Sequence, residues 1–316
     1  RHTGHDMGLA LKKRLDMGFT FLKMDLGIGL LMDEPGALTA PLGFLDDMKC
    51  YAPHILNVQG GSVTPDMVRH QKSYDLVHTA HPFTGIHLTE HGLDVLENYV
   101  REVRDVIGYD VPLAIDHFGH VCVEDCIRFA RRMEKYNLAW MEDMVPWMYT
   151  DQYVRLRNST TIPVCTGEDI YLKENFRPLI EQGGVSVIHP DILTCGGALE
   201  LKKIADMADD HGVAVAVHMA ESPVGCLAAV QTAAAMNHVL ALEFHSVDVP
   251  WWGDMVTGIP RPLFQNGFIK VPEKPGLGFD ELNEEVLREH INPNIPGMWE
   301  PTDQWNQEFS NDRIWS

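Results

Sequence analysis

Six ionisable residues close six short apolar runs in this chain: Asp116, Glu142, Glu168, Asp191, His218 and Glu243. They follow one another at intervals of 26, 26, 23, 27 and 25 residues. Asp116, Glu142 and Glu168 offer hard oxygen donors and no soft ligand, a set suited to Mg²⁺, with Mn²⁺ next, rather than to zinc. Gathered without a cation, three acids repel one another and raise their own pKa values. A divalent ion removes that penalty and leaves positions for a substrate carboxylate. His218 ends a very apolar strand, which is also where a satisfied core histidine is found. Asp191 on the preceding run shifts the balance, because a carboxylate beside an imidazole fixes its tautomer and raises its basicity, as a general base near neutral pH requires. Glu243 would face the far side of the pocket and, held protonated, donate a hydrogen bond to a developing oxyanion. Asp143 and Asp169 directly follow two of the acids and read as groups behind the ligands or as helix caps.

What must position these residues is a repeated strand–helix unit, since each interval also carries a helical pattern. In a parallel barrel all strands open their C-terminal ends on one face, so residues far apart in sequence converge there. A single acid after a buried strand reads as a helix cap. Six in register point to a site, with one or two of them still able to serve as caps. The expected strands lie near 20–25, 111–117, 138–142, 162–167, 185–189, 213–218 and 240–244. Helices are expected at 6–17 (Asp6 as N-cap, Gly18 as stop), from Thr89 onward, and at 123–136, 150–157, 173–182, 197–210 and 223–236. Seven strands are one short of the eight a closed barrel needs, so the expectation is a TIM-type (β/α) barrel whose first strand precedes this record.

The remaining segments are less regular. Residues 27–88 break the period, are rich in Gly, Pro and His, and read as an insertion on the active-site face with a short helix at 65–78; an oligomer contact or a solvated decoration fits as well. The domain reading is therefore 1–26 as the start of the barrel, 27–88 as the insertion, 89–250 as the barrel core and 251–316 as an extension packing on the barrel or on a missing cap. Within that extension a hairpin is expected near 267–271 and a helix at 281–290. The last part, with Trp299, Trp305 and Trp315, suits a tail packed on a neighbour.

Composition bounds the partners. The 316 residues, 45% of them hydrophobic, can bury one large core, and a formal charge of −20 without any Lys/Arg run disfavours nucleic acid and anionic membranes. The six cysteines (50, 122, 126, 165, 195, 226) show no metal-like spacing and read as buried free thiols of a reducing, cytoplasmic compartment. An upstream leader stays open because the sequence starts at Arg1 without Met. No apolar run approaches a membrane span. A homo-oligomer is expected.

Three acids on successive strands, an Asp–His pair on the next two and an acid on the last resemble the mandelate racemase subgroup of the enolase superfamily. The resemblance covers residues 6–26 and 89–280. It implies a (β/α)₇β barrel preceded by an α+β capping domain, which would be the part missing before Arg1. It implies Mg²⁺ on Asp116, Glu142 and Glu168, an Asp191–His218 dyad that removes the proton α to a carboxylate, and an enediolate stabilised by the metal. Two departures select the reaction. Racemases of the subgroup carry Lys-x-Lys on the second strand, whereas this chain has Lys23-Met24-Asp25. With His218 the clear base, one-sided abstraction and loss of water from an aldonic or aldaric acid fit better than racemisation. Next to the first ligand the text is Asp116-His117-Phe118-Gly119-His120, with Phe118 where galactonate dehydratase-like members carry His. Strand alternation turns His117 away, so His120 is favoured as the acid for the departing hydroxyl, with His218 itself as the alternative. Lys23 would contact the substrate carboxylate, act as an acid, or pair structurally with Asp25. Asp25, His245 and Trp251 are expected to line the sugar pocket. The expected partner is a small sugar acid. An epimerase, racemase or cycloisomerase through the same enediolate is the alternative, and a non-catalytic carbohydrate-binding scaffold a third reading. The absence of His-x-His on an early strand disfavours a zinc amidohydrolase.

Overall fold

A computed structural model describes residues 3–41, 85–116, 121–291 and 298. The expected helix at 65–78, most of the 27–88 insertion, Cys50, His117, Phe118, His120 and the three C-terminal tryptophans lie outside the described residues. The chain divides into two compact units, one of residues 1–166, 181–186 and 315–316, the other of residues 167–180 and 187–314.

The first unit opens with helix α1 (Gly4–Asp16). It begins two residues before the expected start, because Thr3 rather than Asp6 is the N-cap. The Asp6 amide donates to Thr3 Oγ1 at 3.1 Å and the Thr3 amide donates back to Asp6 Oδ2 at 3.0 Å, a reciprocal capping box. Strand β1 (Leu22–Asp25) follows, then the short antiparallel pair β2 (Leu38–Thr39) and β3 (His87–Leu88). Helix α2 (Glu90–Ile107) is capped by Thr89 and buries Leu93, Leu96, Val100 and Val103, the stripe its periodicity predicts. Gly8 of α1 lies against α2 so closely that a Cβ there would sit 2.7 Å from Val106 Cβ. Strand β4 (Leu113–Asp116), helix α3 (Val123–Met133), strand β5 (Met141–Glu142), helix α4 (Thr150–Arg157) and strand β6 (Val164–Thr166) complete the unit.

The order β1-β4-β5-β6 is parallel throughout, with Asp25 opposite Asp116, Ile115 opposite Met141, and Glu142 opposite Cys165. Strands β4, β5 and β6 are buried along their whole length, as a parallel sheet covered on both faces requires. Arg104 of α2 is fully buried and donates to four carbonyls: Tyr136 (3.0 Å), Gly108 (3.1 Å), Val111 (2.9 Å) and Asn137 (2.8 Å). It ties the helix to the turns that enter β4 and leave α3, and those acceptors are what make a buried guanidinium tolerable.

The second unit contains helix α5 (Leu172–Glu181), strand β7 (Val187–Ile188), helix α6 (Ala198–Asp210), strand β8 (Ala214–Val217), helix α7 (Pro223–Ala233) and strand β9 (Val239–Leu242). β7, β8 and β9 are parallel neighbours, with Ile188 opposite Val215 and Val217 opposite Leu242. Pro223 opens α7 at a position where a helix has no use for its missing N–H. The segment after β9 packs on α7: Trp252 and Leu263 join Met219, Cys226, Leu227 and Val230 in one apolar cluster. The hairpin expected near 267–271 is reduced to one bridge between Gln265 and Phe268 around a tight turn. The last described helix, α8 (Glu284–His290), starts three residues later than expected because Asn283 caps it. Among the described residues no helix is long and apolar enough to cross a membrane.

Candidate active site

In the first unit the ends of β4 and β5 carry the acids. Asp116 and Glu142 are 2% and 0% exposed, which makes their charges expensive unless they are compensated. Strand register supplies one compensation: Lys23 of β1 places Nζ 2.6 Å from Asp116 Oδ2 and 3.3 Å from Glu142 Oε2. Trp140 Nε1 donates to the same Glu142 oxygen at 2.8 Å. Asp143 joins them through a left-handed backbone (φ 48°) that turns its carboxylate back toward the strand ends, where Thr166 Oγ1 donates to Oδ1 at 2.6 Å. Asp116, Glu142 and Asp143 bring carboxylate oxygens within 4.8 Å of one another. Three buried acids gather hard oxygens here, and that donor set fits a divalent cation of the Mg²⁺ type. Asp25 ends β1 with its side chain exposed.

The second unit carries the imidazole. His218 continues β8: its amide donates to Pro190 O at 3.1 Å, and it bridges to Asp191 in parallel fashion. Nδ1 lies 2.7 Å from Asp191 Oδ2, so Nδ1 carries the proton and Asp191 accepts it. Asp191 also accepts from the amides of Leu193 (2.6 Å) and Thr194 (3.0 Å) on its other oxygen. Burial opposes its charge, but the bond from His218 and these amides hold it below the usual carboxylate range. The opposite nitrogen, Nε2, faces Glu168 Oε2 at 3.4 Å and Glu243 Oε2 at 3.5 Å. Burial pulls the His218 pKa down, yet the bond to Asp191 and the charges of Glu168 and Glu243 outweigh it and push the value up to about 10. Gly167 makes the position of Glu168 accessible, since a Cβ there would lie 2.8 Å from the His189 amide nitrogen.

Glu243, expected on the far side of the pocket, sits beside His218. Its amide pairs with Val217 O at 2.9 Å, which extends β9 and carries the side chain to the same strand-end layer. His189, only 2% exposed, is the reason it stays there: Nδ1 meets Ala216 O at 3.0 Å and Nε2 meets Glu243 Oε2 at 3.2 Å. His245 is exposed, one residue ahead of a short 3-10 turn, and Trp251 stacks on His290 with ring centroids 4.0 Å apart.

Four further contributors carry the site, three of them beyond sequence reasoning. His189, Trp140 and Asp143 act through register and backbone geometry, and only Asp143 had been marked, as a group behind the ligands or a cap. Glu221, whose Oε1 lies 3.8 Å from His218 Nδ1, had one legible signal, its position three residues after the histidine at the start of a helix.

Residues 71–286 match the family model for the enolase C-terminal domain-like fold. The chain is 38% identical over 205 residues to a D-xylonate dehydratase from Haloferax volcanii, covering 65% of this chain and 49% of the relative. It is 32% identical to a D-gluconate dehydratase from Thermoproteus tenax, covering 64% and 40%. It is also 32% identical to a D-galactarolactone cycloisomerase from Agrobacterium fabrum, covering 61% and 53%. The chain thus spans about half the length of the curated relatives it matches. Among solved structures, the mandelate racemase/muconate lactonizing enzyme-like protein from Rubrobacter xylanophilus superposes with a TM-score of 0.71 at 28% identity, over 93% of this chain and 62% of that one. The fold class is α/β, that of the TIM-type barrels of the enolase superfamily. A family model that spans most of the chain, and a solved neighbour of the same fold, carry one conclusion: this chain belongs to the enolase C-terminal domain-like family, among the mandelate racemase-like members of the enolase superfamily.

Proposed function

We propose that the protein is a Mg²⁺-dependent dehydratase of an aldonic or aldaric acid, a hydro-lyase that yields a 2-keto-3-deoxy acid. The observation that carries this reading is the half-buried His218, whose Nδ1 is bound to Asp191 and whose Nε2 is turned toward Glu168 and Glu243. An imidazole held in one tautomer with the other nitrogen aimed at acidic neighbours is built to move a proton at Nε2. Relatives named as D-xylonate and D-gluconate dehydratases support the substrate class.

Asp116, Glu142 and Glu168 would hold the Mg²⁺, with Asp143 supporting the first two. The ion would supply positive charge beside the substrate carboxylate and so acidify the adjacent C–H. With Glu168 engaged by the ion, one of the charges that hold a proton on His218 would be neutralised; Nε2 would then be free to take the C–H proton, with Asp191 stabilising the imidazolium that forms. Glu243, kept in place by His189 and by the Met219 amide at 3.3 Å, presents a carboxyl to the oxygen that gains charge. Lys23, already beside Asp116 and Glu142, would meet the substrate carboxylate, and Asp25, His245 and Trp251 would contribute to the sugar pocket. The acid for the departing hydroxyl is His120, or His218 returning the proton it took. The buried thiols of Cys126, Cys165, Cys195 and Cys226 fit a reducing cytoplasm. A homo-oligomer is the expected assembly, to be checked by light scattering.

The test is a screen of aldonic and aldaric acids with Mg²⁺, read by semicarbazide detection of keto acid. A positive substrate should lose its turnover in His218→Asn with Mg²⁺ binding unchanged, and full activity in that variant would remove the base assignment. The cycloisomerase relative favours one second reading, an isomerase working through the same proton abstraction. Exchange of the α-hydrogen for solvent deuterium without loss of water would identify it.

A further inference from the structure

Glu221 lies one residue before the Ser222 cap of α7, on the Nδ1 side of His218, where the reaction proposed above has no use for an acid. Its backbone is pinned, since Trp252 Nε1 donates to the Glu221 carbonyl at 2.7 Å. One carboxyl oxygen, Oε1, is 3.8 Å from His218 Nδ1, and Asp191, His218 and Glu221 bring polar atoms within 4.8 Å of one another. The other, Oε2, is buried without a hydrogen-bond partner. Two carboxyl groups brought this close in a shielded site can bond to each other only through a proton, because neither anion can donate. Asp191 is already satisfied as an anion by His218 and two amides, so the proton belongs on Glu221.

We propose that Glu221 is a positioning residue that acts as a neutral carboxylic acid, donating its proton to Asp191 and so locking the Asp191–His218 pair with imidazole Nδ1 protonated and Nε2 directed at the reacting side. The titratable groups that face it are Asp191 after β7, His218 after β8 and Cys226 one turn on in α7. Burial and then the Asp191 hydrogen bond and charge push the Glu221 pKa up to about 8, in keeping with a protonated acid at neutral pH. An orphaned Oε2 is also far less costly on a neutral acid than on a buried anion. Glu221 does not touch the reacting atoms. It constrains Asp191, and Asp191 constrains the ring.

The inference rests on the dyad reading given above, so its test has a readout that needs no turnover. Protein labelled with ¹⁵N at histidine should show a downfield Nδ1–H resonance for His218, assigned by its loss in His218→Asn. Glu221→Gln keeps an uncharged donor of the same length and should retain both that resonance and, once a substrate is known, a kcat within about threefold of wild type. Glu221→Ala should lose or shift the resonance and lower kcat about tenfold with KM little changed, a loss of orientation rather than of binding. Wild-type behaviour of Glu221→Ala would overturn the proposal. So would a Gln variant that loses the resonance, because that would require the charged carboxylate; this second arm decides the matter if the Ala variant does not fold. Failure of the dehydratase assignment leaves the resonance unaffected, so the two readings fail separately.

Discussion

Two clusters of acids, one in each unit, meet the cost of burial in opposite ways. In the first, Asp116, Glu142 and Asp143 draw together, with Lys23 against Asp116 and Glu142, and the gathered carboxylates suit an incoming cation. In the second, Asp191, Glu168 and Glu243 surround His218, and the counter-charge is a group that can give its proton away. A lysine keeps its proton through the physiological range, whereas this imidazole, held protonated by its acid neighbours, would exchange its proton once a cation engages Glu168. The first cluster is therefore organised to hold charge and the second to move it. The same acid-at-strand-end pattern yields either result, according to the base that register brings alongside.

This contrast can be broken experimentally. The largest effect should come from the proton-moving cluster: a positioned base contributes about 10²–10⁴ in rate, so His218→Asn should lower kcat by at least about a hundredfold. Glu168→Gln should cost as much or more, because Glu168 serves both the proposed ion and the imidazole; turnover of the two variants under saturating Mg²⁺ checks the order. In the charge-holding cluster, Lys23→Met removes the partner of two buried acids and should destabilise the metal-free protein by about 3 kcal/mol, read by urea titration. Added Mg²⁺ should return most of that loss.

A pH titration separates the clusters next. The folded state raises His218 from 6.5 to about 10 and Glu221 from 4.5 to about 8, so in both cases the native state binds the proton more tightly than the unfolded chain does. Their stabilisation is complete below the unfolded values and disappears as pH rises through about 8 and then about 10. The Tm of the metal-free protein should fall across that window, and His218→Asn should flatten the upper part of the fall. The smallest effect belongs to Thr166→Val, which removes one hydrogen bond from Asp143 and should cost about 1 kcal/mol by the same urea assay.

Much of this was legible in the sequence. A fully buried parallel strand reads as an unbroken apolar run, so an ionisable residue at its end stands out, and Asp116, Glu142, Asp191 and His218 were visible for that reason. The helices between strands followed from periodicity within one to three residues at most ends. What stayed hidden depends on register. Lys23 looked equally suited to Asp25 or to a substrate until the β1–β4 pairing set it against Asp116 and Glu142. The nearness of Glu243 to His218 was hidden because nothing local reveals that His189 meets it. His189 lay within an apolar run and resembled a core residue. Glu221 follows β8 by four residues and closes no apolar run of its own, so the repeat pattern passed over it.

The central claim is that His218 removes the proton next to a carboxylate. Its most direct test is exchange of the substrate α-hydrogen in deuterium oxide, comparing wild type with His218→Asn at saturating Mg²⁺. The account predicts that wild type labels substrate or product at that carbon while the variant falls at least about a hundredfold. Equal labelling by both proteins would contradict it.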